Sequence, residues 1–106
     1  MEPDIWKIEG LETTAAARAV VATTQDGGRD HVRCIVLGRD APAERLDHWL
    51  RIAAGVKGFH GFAIGRSIWE KPLAGHLAGE LTDGQLIDQV AGNYLHYAHS
   101  YAAAEN

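Results

Sequence analysis

The sequence predicts an α/β fold of parallel β-α units, part of a (β/α) barrel, and three observations lead there. Short apolar runs of strand length stand at residues 4–9 (DIWKIE), 31–37 (HVRCIVL) and 59–64 (FHGFAI). The stretches between them carry helix signals, so each connection has the length of a parallel crossover rather than a hairpin. The runs are also hydrophobic enough to predict cover by helices on both faces. A closed barrel needs eight strands and about 250 residues, so residues 1–106 read as a single partial-barrel domain. The first strand follows only Met1, Glu2 and Pro3, an abrupt start that leads us to expect preceding units. A small three-stranded domain that folds alone is the plainer alternative.

Each helix has its own punctuation. Residues 13–25 are alanine-rich and end at Gly27 and Gly28, a helix stop. Residues 42–54 open with Pro42, which suits a first helical position, and are followed by Gly55. Two further helices are expected at 68–78 and 83–103, the second opened by Thr82 with Gln85 three residues on, a capping-box spacing. The tail 101–106 is expected to fray. Leu46, Trp49, Tyr94, Leu95 and Tyr101 are expected to face the core, with Cys34 buried in its strand and Tyr97 exposed.

Composition excludes several function classes. The net charge is -4 and no basic stripe exists, which argues against nucleic acid as a partner. No apolar run approaches the ~20 residues of a membrane span, and no signal-peptide pattern opens the chain. One cysteine, Cys34, excludes an internal disulfide framework and makes the cytoplasm the default location. His31, His48, His60, His76, His96 and His99 lack metal-ligand spacing; we expect no metal site and no cofactor. His96 and His99 share a helix face as surface or packing residues.

Two features carry chemistry. Strand alternation puts Ile5, Lys7 and Glu9 on one face of the first strand. A lysine in a buried run loses its charge readily, and the free amine is the nucleophile that a Schiff-base reaction requires. Glu9 is placed to pair with Lys7 or to move protons. An edge-strand charge or a snorkelling side chain is the ordinary alternative. The second feature is a repeated corner: Gly38-Arg39 ends the second strand and Gly65-Arg66 the third. Glycine lets backbone N–H groups approach a ligand, arginine offers a donor fork matched to phosphate, and a helix beginning near Ser67 would add its positive end. Alternatively these are turn glycines, with the arginines pairing Asp40 or Glu70.

The strings PDIWKIEG, VRCIVLGRDAP and GFAIGRSIWEKPL resemble class I sugar-phosphate aldolases of the tagatose-bisphosphate aldolase type. They resemble still more the uncharacterised domain C-terminal to bacterial 5-dehydro-2-deoxygluconokinases, associated with sugar-phosphate cleavage in inositol breakdown. The resemblance spans Pro3 to about Tyr101 and implies the sixth, seventh and eighth units of a (β/α)8 TIM barrel. It implies Lys7 as the Schiff-base residue, with Gly65 and Arg66 on the phosphate of a keto sugar. The LGRDAP corner departs from the Ser-Ala-Gly pattern of the tagatose enzymes, which weakens the match for Gly38 and Arg39. The proton-handling glutamate of that family lies on an earlier strand, outside this sequence. The expectation is therefore an aldolase-like chain with little or no turnover alone. The alternative is a non-catalytic module whose exposed strand edges take up further copies, or the missing N-terminal barrel part.

Overall fold

The computed structural model describes residues 2–105. The elements run β1 (Ile5–Ile8), α1 (Thr14–Gln25), β2 (Arg33–Leu37), α2 (Ala43–Ala54), β3 (Phe59–Ala63), α3 (Arg66–Leu77) and α4 (Asp83–Ala104). The strands form one parallel sheet in the order β1-β2-β3. This is the α/β alternation the sequence predicts, with α3 starting earlier than expected. The tail does not fray where expected: α4 continues to Ala104 and Tyr101 is buried, while Asn106 lies outside the described residues.

The sheet is covered on one face only, which corrects the expectation of two. Register aligns Trp6 with Cys34 and Phe59, and Ile8 with Val36 and Phe62. On this face Cys34, Val36 and Phe59 join Ala17, Val21, Leu46, Leu50, Ala53, Tyr97 and Tyr101 in the core. The other face carries Ile5, Lys7, Arg33, Ile35, Leu37 and Ala63, none of them buried. Every helix is spent on the first face, so none remains for the second. Full burial of Leu46 and Leu50 contributes about 1.5–3 kcal/mol each.

The helix ends follow local chemistry. Thr13 caps α1 by accepting the Ala16 N–H at 3.1 Å. Thr82 and Gln85 form the expected capping box at α4, each side chain accepting from the other's backbone N–H. Pro72 stands inside α3 and cannot donate to the Ile68 carbonyl. Asn93 of α4 donates to that carbonyl at 2.8 Å instead, so a side chain replaces the missing backbone bond and latches α3 to α4. On α4 the inward residues are Tyr97 and Tyr101. Tyr94 and Leu95 are exposed and Tyr97 is buried, the reverse of the sequence expectation for all three, because α4 meets α2 through the face carrying Tyr97 and His96, whose ring bonds Asp47.

Candidate functional site

The three strands end on one edge of the sheet, and the loops that leave them gather the charged residues. This carboxyl edge is where parallel α/β sheets place their ligands. The β1 loop brings Glu9 and Glu12, the β2 loop brings Gly38, Arg39 and Asp40, and the β3 loop brings Gly65 directly before Arg66 of α3. Two clefts of about 290 and 360 Å³ open here and share Asp40, Arg66 and Ser67 as a common wall. The smaller is lined further by Gly38, Arg39, Gly65 and Trp69, the larger by Pro42, Glu70, Lys71 and Tyr97.

Lys7 is exposed rather than buried, which overturns the first expectation about it. It projects beside Ile35 on the uncovered face of the edge strand, and none of the described elements lies over it. Glu9 does not pair with Lys7. Its carboxylate accepts from the Arg39 guanidinium at 2.6 Å.

The two glycine–arginine corners are not equivalent. Gly38 is buried, and a Cβ there would sit 3.2 Å from both Ile64 and Leu46, so packing alone accounts for this glycine. Arg39 and Asp40 follow with φ of 52° and 56°, a left-handed pair that non-glycine residues adopt at a cost of about 1–3 kcal/mol each. The turn carries Asp40 to Arg66, with which it forms an ion pair. Both arginine forks are thus engaged by carboxylates. Gly65 has no such packing reason: a Cβ would meet only Trp69 Nε1, at an ordinary 3.6 Å. Its carbonyl accepts the Ile68 and Trp69 N–H groups, and no side chain caps α3. The amino end of α3, with its partial positive charge, therefore opens on both clefts without a protein carboxylate as its cap. The amino end of α2 also lacks a side-chain cap, since Pro42 offers none, but Glu44 stands in its first turn.

Sequence reasoning missed several edge residues. Tyr97 lines the larger cleft at 5 % exposure; burial, then the nearby Asp47 carboxylate, push its phenol above the usual range and keep it neutral. Glu12 accepts from Trp49 Nε1 at 2.9 Å and Arg45 at 2.6 Å. The Trp49 bond, with Arg45 and His48 adding to it, holds the Glu12 carboxyl below the usual range. A carboxylate just after a strand is a readable signal; Tyr97 gave none, because α4 had no visible register against the sheet. Among the described residues no group of three His, Cys, Asp or Glu side chains is placed to hold a metal ion.

A family described as "Uncharacterized protein conserved in bacteria" (DUF2090) has a model that matches residues 1–105. The chain belongs to this family. No curated protein and no solved structure matches it significantly. In this DUF2090 member the carboxyl edge brings the uncapped amino end of α3 together with three arginine–carboxylate pairs, Glu9–Arg39, Asp40–Arg66 and Glu12–Arg45. Among its described residues, no helix is long and apolar enough to cross a membrane.

Proposed function

We propose that the chain forms the last three units of an aldolase-like (β/α)8 barrel and handles a phosphorylated keto sugar through an imine on Lys7. The observation that carries this reading is the open amino end of α3, with Arg66 on the wall shared by two clefts. A phosphate there receives N–H groups from the first turn of α3, the Arg66 fork and, from the larger cleft, Lys71. The resemblance of the PDIWKIEG and IGRSIW strings to class I sugar-phosphate aldolases supports the same assignment. Lys7 lies on the face that would line a barrel interior.

In this mechanism the neutral Lys7 amine adds to the substrate carbonyl, and the carbinolamine takes one proton from solvent and loses water, giving an iminium. When the adjacent carbon–carbon bond breaks, its electron pair moves into the iminium while a base takes the hydroxyl proton from the departing aldehyde carbon. Glu9 is held by Arg39, so the base comes from outside the described residues. Lys7 is exposed on the uncovered face of the sheet, and we expect little or no turnover from this chain alone. A cytoplasmic location suits a sugar-phosphate substrate.

Asp40 competes with an incoming anion for Arg66, which gives the reading a signed test. Inorganic phosphate, titrated against the chain with amide chemical shifts as the readout, should perturb residues 65–71. Asp40→Asn should tighten binding several-fold and Arg66→Ala should weaken it at least tenfold, about 1.4 kcal/mol. Shifts absent at 65–71, or equal affinities in both variants and the parent, would overturn the assignment.

A further inference from the structure

The chain has more surface than its mass requires. Its accessible area is 6788 Å², about 1,000 Å² above the ~5,800 Å² of a compact monomer of this mass. Its radius of gyration is 15.9 Å, against about 13 Å for a compact domain of this length. A standard interface removes about 800 Å² from each partner, so the excess is of the size that one stable contact covers.

Two places hold exposed apolar residues in number, and they differ in kind. Trp69 and Leu77 of α3 and Ile87, Tyr94 and Leu95 of α4 are exposed side chains on helices whose backbones are internally bonded. At β1, Ile5 is 57 % and Trp6 45 % exposed, and the strand is also an open sheet edge. The Arg33 N–H donates to the Asp4 carbonyl at 3.0 Å. With the register Ile5↔Arg33 and Trp6↔Cys34, this is the parallel ladder in which Trp6 turns both backbone groups to β2. Ile5 and Lys7 therefore turn theirs outward, where no strand among the described residues receives them. The opposite edge is blunted: β2 and β3 pair through a register shift between Cys34 and Val36 that breaks the line of β3. Beside β1, Trp6, Pro3, Ile8 and Val32 line a groove of about 440 Å³.

We infer that the β1 edge is the interface of a two-fold homodimer, in which β1 of a second copy pairs antiparallel about Trp6 and makes a continuous six-stranded sheet. Centring on Trp6 sets the two Trp6 side chains opposite each other, in the close non-hydrogen-bonded position where aromatic pairs stabilise most. Each ring enters the groove beside the other. The same register lays the stem of Lys7 across Ile5 of the second copy, with the ammonium free to reach water. Centring on Lys7 instead would oppose two like charges, which is unfavourable. The occupant is a second copy because this register makes the strand complementary to itself. The second copy takes the edge that a preceding barrel strand would pair with, so the dimer describes this chain standing alone, whether or not Lys7 forms an imine.

Sedimentation equilibrium of the full chain from micromolar to millimolar concentration tests it. The expected mass is twice 11.5 kDa, about 23 kDa. Ile5→Pro removes an outward N–H at the first strand position, where proline is tolerated, and should leave a folded monomer. Trp6→Cys should form an intermolecular disulfide under oxidised glutathione, because facing Cα atoms about 4.5 Å apart fall within bridging range; Cys34 is buried and does not compete. A monomer at every concentration overturns the inference and leaves the edge to a foreign chain. So does a Trp6→Cys variant that still sediments as a dimer yet fails to cross-link, since the contact then lies elsewhere. Should Ile5→Pro not fold, the parent mass and the cross-link decide alone.

Discussion

Replacing Asn93 by leucine, a side chain of nearly the same shape, should destabilise the protein for one identifiable reason. Ile68 is 7 % exposed, and its carbonyl lacks the helical N–H that residue 72 would supply were it not proline. The Asn93 amide donates to it at 2.8 Å. Removing that donor loses a hydrogen bond and leaves a buried acceptor unsatisfied, about 1–3 kcal/mol. For a domain of this size that is roughly 5–15 °C in Tm. The mechanism makes a sharper claim in a cycle. With Pro72→Ala in place, the residue 72 N–H closes the ladder onto Ile68, and Asn93→Leu should then cost under about 1 kcal/mol. Urea unfolding of the four proteins by circular dichroism, at one fixed concentration because association shifts apparent stability, measures both losses. Equal losses in the two backgrounds would refute the argument that Asn93 acts by serving the orphaned carbonyl.

Tyr101 carries a pH prediction. Burial first and the Glu105 carboxylate second push its phenol up to about 12, with the Gly61 backbone opposing. The folded state therefore holds this proton more tightly than the unfolded chain. Its stability contribution is complete below the unfolded value near ~10 and is lost as pH rises from about 10 to 12, at up to ~1.4 kcal/mol per pH unit. Tyr101→Phe should flatten that alkaline limb of the Tm profile. It should cost little at neutral pH, because the hydroxyl has no geometrically satisfactory partner. The two corner glycines should separate in the same way by their surroundings. Gly38→Ala crowds Ile64 and Leu46 at 3.2 Å and should lose about 1–3 kcal/mol, whereas Gly65→Ala should keep the Tm and weaken phosphate binding if backbone access matters there.

The order of elements was legible because periodicity and punctuation are local: the strand runs, Gly55 after α2, and the Thr82–Gln85 box all stand where the sequence puts them. What was not legible depends on neighbours. The residues Ile5, Lys7 and Ile35 look like a buried strand face, yet the helices all pack on the side of Cys34 and Val36. Hydrophobicity alone does not say how many faces are covered. Tyr94 and Leu95 look like core and are exposed, while Tyr97 is buried, since only the docking of α4 on α2 decides which stripe faces inward. Pro72 did carry a signal: a proline inside a helical stretch announces an orphaned carbonyl four residues earlier, and so a partner such as Asn93. The candidate site was legible as a set of residues and, in the alternative of an arginine pairing Asp40, as one of its ion pairs, but the Glu9–Arg39 pair was not. Glu9 goes to Arg39 and Asp40 to Arg66 because the left-handed Arg39–Asp40 turn sends neighbouring side chains to different loops.

The central proposal is imine formation at Lys7, and borohydride trapping tests it most directly. The folded chain is incubated with dihydroxyacetone phosphate and sodium borohydride, then examined by intact and peptide mass spectrometry beside Lys7→Ala. We predict a reduced, phosphate-bearing adduct on the peptide containing Lys7, absent from Lys7→Ala and diminished in Arg66→Ala. A folded parent without that adduct, or one labelled equally at Lys57 and Lys71, would contradict the account.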